Sequence, residues 1–134
     1  MTWRLFLAQI AGAFLIIGVA YGFLVSEPLV GRAEAATVAC KGRLVVATWY
    51  GAESGNKTAS GAYFDGSQLL VAHRTLKLGT KVRVTFRGKS VVVPVLDRGP
   101  AKWTGAEIDL SHAVAKRIGF LAVGKGKVCL EVVK

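Results

Sequence analysis

The chain has 134 residues, 52% of them apolar, and its 18 basic and eight acidic side chains give a net charge of +10. The apolar excess lies largely at the N-terminus, and the basic residues are scattered without the aromatic–basic repeat that marks a nucleic-acid surface, so nucleic-acid binding is set aside. Two cysteines and two histidines, with no ligand spacing among them, give no support to a structural zinc site, and no cofactor is implied.

Leu5 to Val25 is a nearly continuous apolar run of 21 residues behind Arg4, interrupted only by Gln9. Such a run can enter a bilayer as a helix. Two readings fit it. In one, Ala33-Glu34-Ala35 is a signal-peptide cleavage site and Ala36 begins the mature protein. In the other, the run stays as an N-terminal anchor in the inner membrane. Ser26-Glu27-Pro28 ends the membrane segment in both, and both imply export to the periplasm or beyond. A third route, lipidation at Cys40 in Val38-Ala39-Cys40, fits less well, because Thr37 replaces the usual apolar residue and a long polar spacer precedes it. The organisation read here is therefore 1–35, a signal peptide or anchor, and 36–134, one small domain. The domain carries 16 basic and six acidic side chains. Outside the cytoplasm, such a charge suits anionic envelope polymers or membrane faces. Nothing in the sequence sets an oligomeric state.

Cys40 and Cys129 bracket the domain. Outside the cytoplasm they are expected to form a disulfide joining its first and last elements, the alternative being two separate buried thiols. Leu44 to Tyr50 reads as a strand ended by Gly51. A loop of small polar residues follows through Thr58-Ala59-Ser60-Gly61, and Asp65-Gly66 signals a turn. Leu69 to Ala72 is a short apolar element. After the turn at Leu78-Gly79-Thr80, Lys81 to Phe86 alternates strictly between polar and apolar residues, the pattern of a strand with one buried face. Arg87-Gly88-Lys89 suits a hairpin connection into a strand from Ser90 to Leu96. Pro94 lacks a ladder donor and so belongs near an edge or bulge. Asp109 or Ser111 can cap a short helix whose apolar spacing runs through Leu110, Ala113, Val114 and Ile118, with Gly119 as its stop. Lys127 to Val133 is the last strand, with Val128, Leu130 and Val132 on its inner face. Short strands with one short helix predict a mainly β fold, a compact barrel.

Ala47-Thr48-Trp49-Tyr50-Gly51, Thr58-Ala59-Ser60-Gly61, Ala72-His73-Arg74-Thr75-Leu76, Leu78-Gly79-Thr80, Asp97-Arg98-Gly99-Pro100 and Ile108-Asp109-Leu110-Ser111 occur in an order and spacing that resembles the rare-lipoprotein-A-like family. The likeness covers about residues 44 to 133. It implies a six-stranded double-psi β-barrel with one short α-helix and a shallow carbohydrate groove, similar to septal-ring lytic transglycosylases and related to expansin barrels. It further implies action on peptidoglycan glycan strands, with a preference for strands lacking peptide stems. One departure is consequential: active relatives carry Glu just after Thr-Ala-Ser-Gly, where this chain has Ala62. His73 and Asp97 match the family's other site positions.

The chemistry expected on this reading is non-hydrolytic cleavage of the MurNAc–GlcNAc β-1,4 linkage to leave a 1,6-anhydro-MurNAc end. Asp97 is expected to protonate the departing oxygen and then help deprotonate the MurNAc 6-hydroxyl. One carboxyl group can serve both steps because the substrate supplies its own nucleophile. Asp109 is a second candidate for the reaction, or a cap at the helix start. His73 is expected to orient Asp97 or bind a sugar hydroxyl, the plainer reading being a hydrogen-bonded barrel histidine. Tyr50 and Trp49 fall on opposite faces of their strand, Tyr50 towards the groove and Trp49 towards the core. Trp103 extends a sugar platform or packs its loop. Thr58 and Ser60 bind carbohydrate or tie down their own loop. Arg74 contacts a MurNAc carboxylate, or pairs with Asp65 or Glu107. His112 reads as an exposed polar residue. Glu53, Asp65 or Glu107 can stand in for the missing Glu. The alternative to an enzyme is a barrel that binds or loosens the wall without breaking a bond; an exported inhibitor or envelope structural protein is a third class.

Overall fold

The computed structural model of the protein describes residues 39–134; the segment 1–35, read above as signal or anchor, lies outside them. Six strands follow in chain order: β1 (Arg43–Tyr50), β2 (Val71–His73), β3 (Lys81–Phe86), β4 (Lys89–Asp97), β5 (Ile108–Ser111) and β6 (Gly126–Val133). One helix, α1 (His112–Arg117), lies between β5 and β6. The strands close into a barrel in the order β1-β5-β2-β4-β3-β6. β1 runs parallel to β5 and β2 parallel to β4, while the other four pairings are antiparallel. Closure removes the free strand edges of an open sheet.

Alternation explains which residues fill the barrel. Val45 and Ala47 of β1, Val82 and Val84 of β3, Val93 and Val95 of β4, Ile108 and Leu110 of β5, and Val128 and Leu130 of β6 are all buried in one core. The β-branched side chains that dominate it suit a pleated inner surface. Val114 and Ala115 of α1, with Ile118 and Phe120 just after it, complete this core. Val132 continues the β6 alternation but is 52% exposed, so the inner face expected there ends at Leu130.

Local signals account for the ends of elements. β3 and β4 are joined by Arg87-Gly88, both at positive φ (46° and 81°), the left-handed pair that a two-residue hairpin turn of matching twist requires. Of the two candidate caps, Ser111 is the one used: its hydroxyl accepts from the Val114 N–H at 3.3 Å. Leu110, expected within the helical spacing, is the third residue of β5. Cys40 and Cys129 form a disulfide across a sequence separation of 89 residues, which stabilises the domain by roughly 2–4 kcal/mol. Between Cys40 and β1, a Cβ on Gly42 would lie 1.9 Å from the Leu130 carbonyl oxygen, so only glycine passes this close to β6.

One irregularity positions the site. Val71 pairs with Val95 but Ala72 pairs with Asp97, so β4 bulges at Leu96. The bulge re-aims the side chains that follow it. Leu96 packs on a second, outer cluster of Tyr50, Phe64, Leu70 and Ala72, and Asp97 comes to stand beside Ala72. Pro94 pairs with Lys81 of β3 just before the β2–β4 pairing begins, two residues from the bulge, the irregular setting its missing N–H favours.

Candidate active site

Ala72 pairs with Asp97 on one side and with Asp109 on the other. The two carboxylates therefore stand on strands flanking β2, their Cα atoms two strand spacings, about 10 Å, apart. Both line one open groove of about 270 Å³, together with Tyr50, Ser54, Lys57, Ala72 and the segment Arg98–Ala101. The small side chain of Ala72 keeps the groove floor low between them.

Their surroundings differ. Asp97 accepts three hydrogen bonds: from the Tyr50 hydroxyl at 3.0 Å, the Ala59 N–H at 2.9 Å and the Arg98 N–H at 2.8 Å. Asp109 accepts one, from the Thr48 hydroxyl at 2.9 Å. Burial pushes the Asp109 carboxyl up to about 6; the Thr48 bond opposes this, and the nearby charges of Asp97 and Glu53 add to it. Burial, with the Asp97 charge beside it, also raises the Tyr50 phenol well above its ordinary value, so its hydroxyl stays a donor. The Tyr50 ring stacks on Phe64 with centroids 4.7 Å apart, which fixes the hydroxyl's direction.

The other expected residues divide between the groove and its supports. His73 is buried and lies on the opposite face of β2 from Ala72, by strand alternation. Its Nδ1 accepts from the N–H groups of Thr75 and Leu76 at 3.2 and 3.1 Å, so the ring hydrogen sits on Nε2, which faces Glu107 at 3.3 Å. Its carbonyl and that of Leu76 accept from the Arg98 guanidinium at 3.0 and 2.7 Å, and the backbone N–H of the same Arg98 is bonded to Asp97. His73 thus reaches Asp97 only through this turn and Arg98. Arg74 is spent on the carbonyls of Pro100 and Ala106, at 3.0 and 2.6 Å, and pairs with neither Asp65 nor Glu107. Thr58 is buried, its hydroxyl 2.9 Å from that of Ser60, and both tie the loop whose Ala59 N–H meets Asp97. The carbonyl of Ala62 closes the same loop by accepting from the Thr58 N–H at 2.9 Å, so the loop keeps its form without a Glu side chain. Trp103 is 88% exposed, two residues beyond the groove-lining Ala101.

None of the three proposed substitutes for the missing Glu lines this groove. Glu53 folds back onto the Gly51 N–H at 2.8 Å, which lowers its carboxyl. Asp65 is held by Ser67. Both line a neighbouring cleft of about 450 Å³ with Trp49 and the exposed His112. For Glu107, burial opposes ionisation, but Arg43 and His73 together hold its carboxyl below the usual range. Ser54 and Lys57, which line the groove, and Thr48, which bonds Asp109 beside it, are the residues that sequence reasoning did not reach. Strand alternation from Tyr50 already put Thr48 on the groove face. Among the described residues, no group of three or more His, Cys, Asp or Glu side chains is placed to hold a metal ion.

Residues 44–130 match the family model described as lytic transglycolase. The chain is 46% identical over 93 residues to the probable endolytic peptidoglycan transglycosylase RlpA of Synechocystis sp., covering 66% of this chain and 28% of that protein. It is 44% identical over 88 residues to the endolytic peptidoglycan transglycosylase RlpA of Pseudomonas aeruginosa, covering 63% and 26%. The chain thus spans about a quarter of the length of these curated relatives. Among solved structures, the Streptomyces papain inhibitor aligns with a TM-score of 0.57 and 26% identity, over 69% of this chain and 96% of that one. Cerato-platanin 3 from M. perniciosa, 14% identical with a TM-score of 0.51 over 69% of this chain and 95% of that one, shares the fold.

Proposed function

This chain belongs to the lytic transglycolase family of double-psi β-barrels, and from that premise we propose that it cleaves the MurNAc–GlcNAc linkage of peptidoglycan without water, in the groove between Asp97 and Asp109. The observation that carries this reading is the pair itself: two carboxyl groups on one groove, one surrounded by donors and the other raised towards neutrality by burial. The sequence alone assigned both proton transfers to Asp97; the surroundings support dividing them. Asp109 gives its proton to the departing GlcNAc O4 as the bond from O4 to the MurNAc anomeric carbon breaks. Asp97 takes the proton of the MurNAc 6-hydroxyl as O6 bonds to that carbon. The products are a free 4-hydroxyl and a 1,6-anhydro end, and a proton passing from Asp97 back to Asp109 through solvent resets the pair. Hydrolysis would need a carboxylate that activates water or attacks the sugar; here the 6-hydroxyl takes the place of water.

Tyr50, Ala59 and Arg98 hold Asp97, and His73 acts on it as a positioning residue through the 73–76 turn. Trp103, two residues beyond the groove-lining Ala101, offers an exposed ring on which a sugar can stack. Export, by cleavage after Ala35 or with residues 1–35 kept as an anchor, brings the barrel to its polymer. The test is digestion of peptide-free glycan strands followed by mass spectrometry of the products, with Asp97→Asn and Asp109→Asn in parallel. Anhydro-ended products from the parent chain and not from either folded variant support the reading. Ala62, in place of the family's Glu, favours a second one, a non-catalytic barrel that binds peptidoglycan or loosens the wall. On that reading, the parent retains the strands and leaves every linkage intact.

A further inference from the structure

The groove carries one positive group that the chemistry above does not use. Lys57 lines it together with Asp97 and Asp109. Its backbone is fixed by a bridge to Tyr63, one residue before the loop that bonds Asp97. Among the described residues, the ion pairs are Arg43 with Glu107 and Arg83 with Glu131, so no carboxylate is paired with Lys57. The other cation of the groove, Arg98, is committed to the carbonyls of His73 and Leu76. A free ammonium beside two acids serves neither proton transfer, but it complements an anion carried by the substrate next to the bond being cut.

We propose that Lys57 is the specificity determinant of the groove, pairing with a carboxylate borne on the sugar itself. Resting on the peptidoglycan reading above, that carboxylate is the free lactyl group of a MurNAc without a peptide stem. An amide at the same position keeps the shape and removes the charge. An ammonium–carboxylate contact is charge-assisted and is lost when either partner becomes neutral. Lys57 therefore favours stem-free strands by charge, independently of the bulk of a stem.

The experiment compares peptide-free strands with the same strands converted to lactyl methylamides, which removes the charge with little added bulk. Binding and cleavage by the full chain are measured for the parent, Lys57→Gln and Lys57→Arg. The parent is expected to favour the carboxylate form about tenfold in KM or Kd, with the ratio shrinking as salt is added. Lys57→Gln brings the ratio close to one, and Lys57→Arg restores most of it. A parent ratio near one, or a ratio that survives in folded Lys57→Gln, overturns the proposal. Binding that shows the Lys57-dependent ratio without any cleavage overturns the transglycosylase chemistry alone. Cleavage with no such ratio overturns the role of Lys57 alone. Failure of the folded parent to bind or cut either form overturns both.

Discussion

Glu107 and Asp109 are two residues apart, yet the fold treats them oppositely. Glu107 sits between Arg43 and His73, and these two hold its carboxyl below the usual range against the effect of burial. Asp109 has no cation bonded to it; burial, opposed only by a single hydroxyl partner, raises it to about 6. A carboxylate with a committed cation is a structural tie. One held near neutrality on an open groove can exchange a proton at physiological pH, which is the condition for acid–base work. The difference arises from the deeper burial of Asp109 and from the partners, Arg43 of β1 and His73 of β2, that reach only Glu107.

The largest effect expected from breaking this contrast is on cleavage. Asp109→Asn and Asp97→Asn each lower turnover of peptide-free strands by about 10²–10⁴-fold, the range for loss of a positioned acid or base, while circular dichroism shows the barrel intact. Because Asp109 must carry its proton to act, kcat/KM for the parent falls as pH rises through about 6. A profile flat across pH 5 to 8 would sink the assignment of the donor.

The next effect is on the tied side. His73→Ala deprives the N–H groups of Thr75 and Leu76 of their acceptor and removes a buried ring. A loss of about 2–4 kcal/mol is expected from urea unfolding. If the variant unfolds like the parent but cuts nothing, His73 acts at the reaction rather than through the 73–76 turn.

How far such contrasts could be read from sequence depends on whether the partner is local. The alternation of Lys81 to Phe86, the Arg87-Gly88 hairpin and the apolar inner positions of β6 are local patterns, and they gave the strands and most of the core. The six short motifs brought Asp97 and Asp109 into one candidate site. β2 is only three residues long, too short to show a period, and the Leu96 bulge exists only through its pairing with β2. The Thr48–Asp109 bond needs the parallel register of β1 on β5, across 61 residues of chain. Arg74 looked available for an acid because its carbonyl partners, Pro100 and Ala106, are 26 and 32 residues away. In each case the side-chain type was visible, and what satisfied it was set by the closed barrel.

The smallest effects sharpen the contrast through its sign. Glu107 has a lowered folded value, so its stabilisation is present above the unfolded carboxylate value and is lost as pH falls through the folded one. Glu107→Gln is expected to destabilise by about 1 kcal/mol at pH 7, modest because the pair is partly exposed, with the gap closing in acid. Asp109 is raised, so between about pH 4 and 6 its folded form holds a proton that the unfolded chain has released, and stability falls as pH rises. Above about pH 6 that cost is complete. Asp109→Asn is therefore expected to be the more stable protein at pH 8, by about 1 kcal/mol after allowance for solvent screening of a part-exposed group, with no advantage at pH 3.5. Urea unfolding at these two pH values decides the matter. If Asp109→Asn is destabilised at pH 8, Asp109 is a tie like Glu107, and the proton donor must be sought elsewhere in the groove.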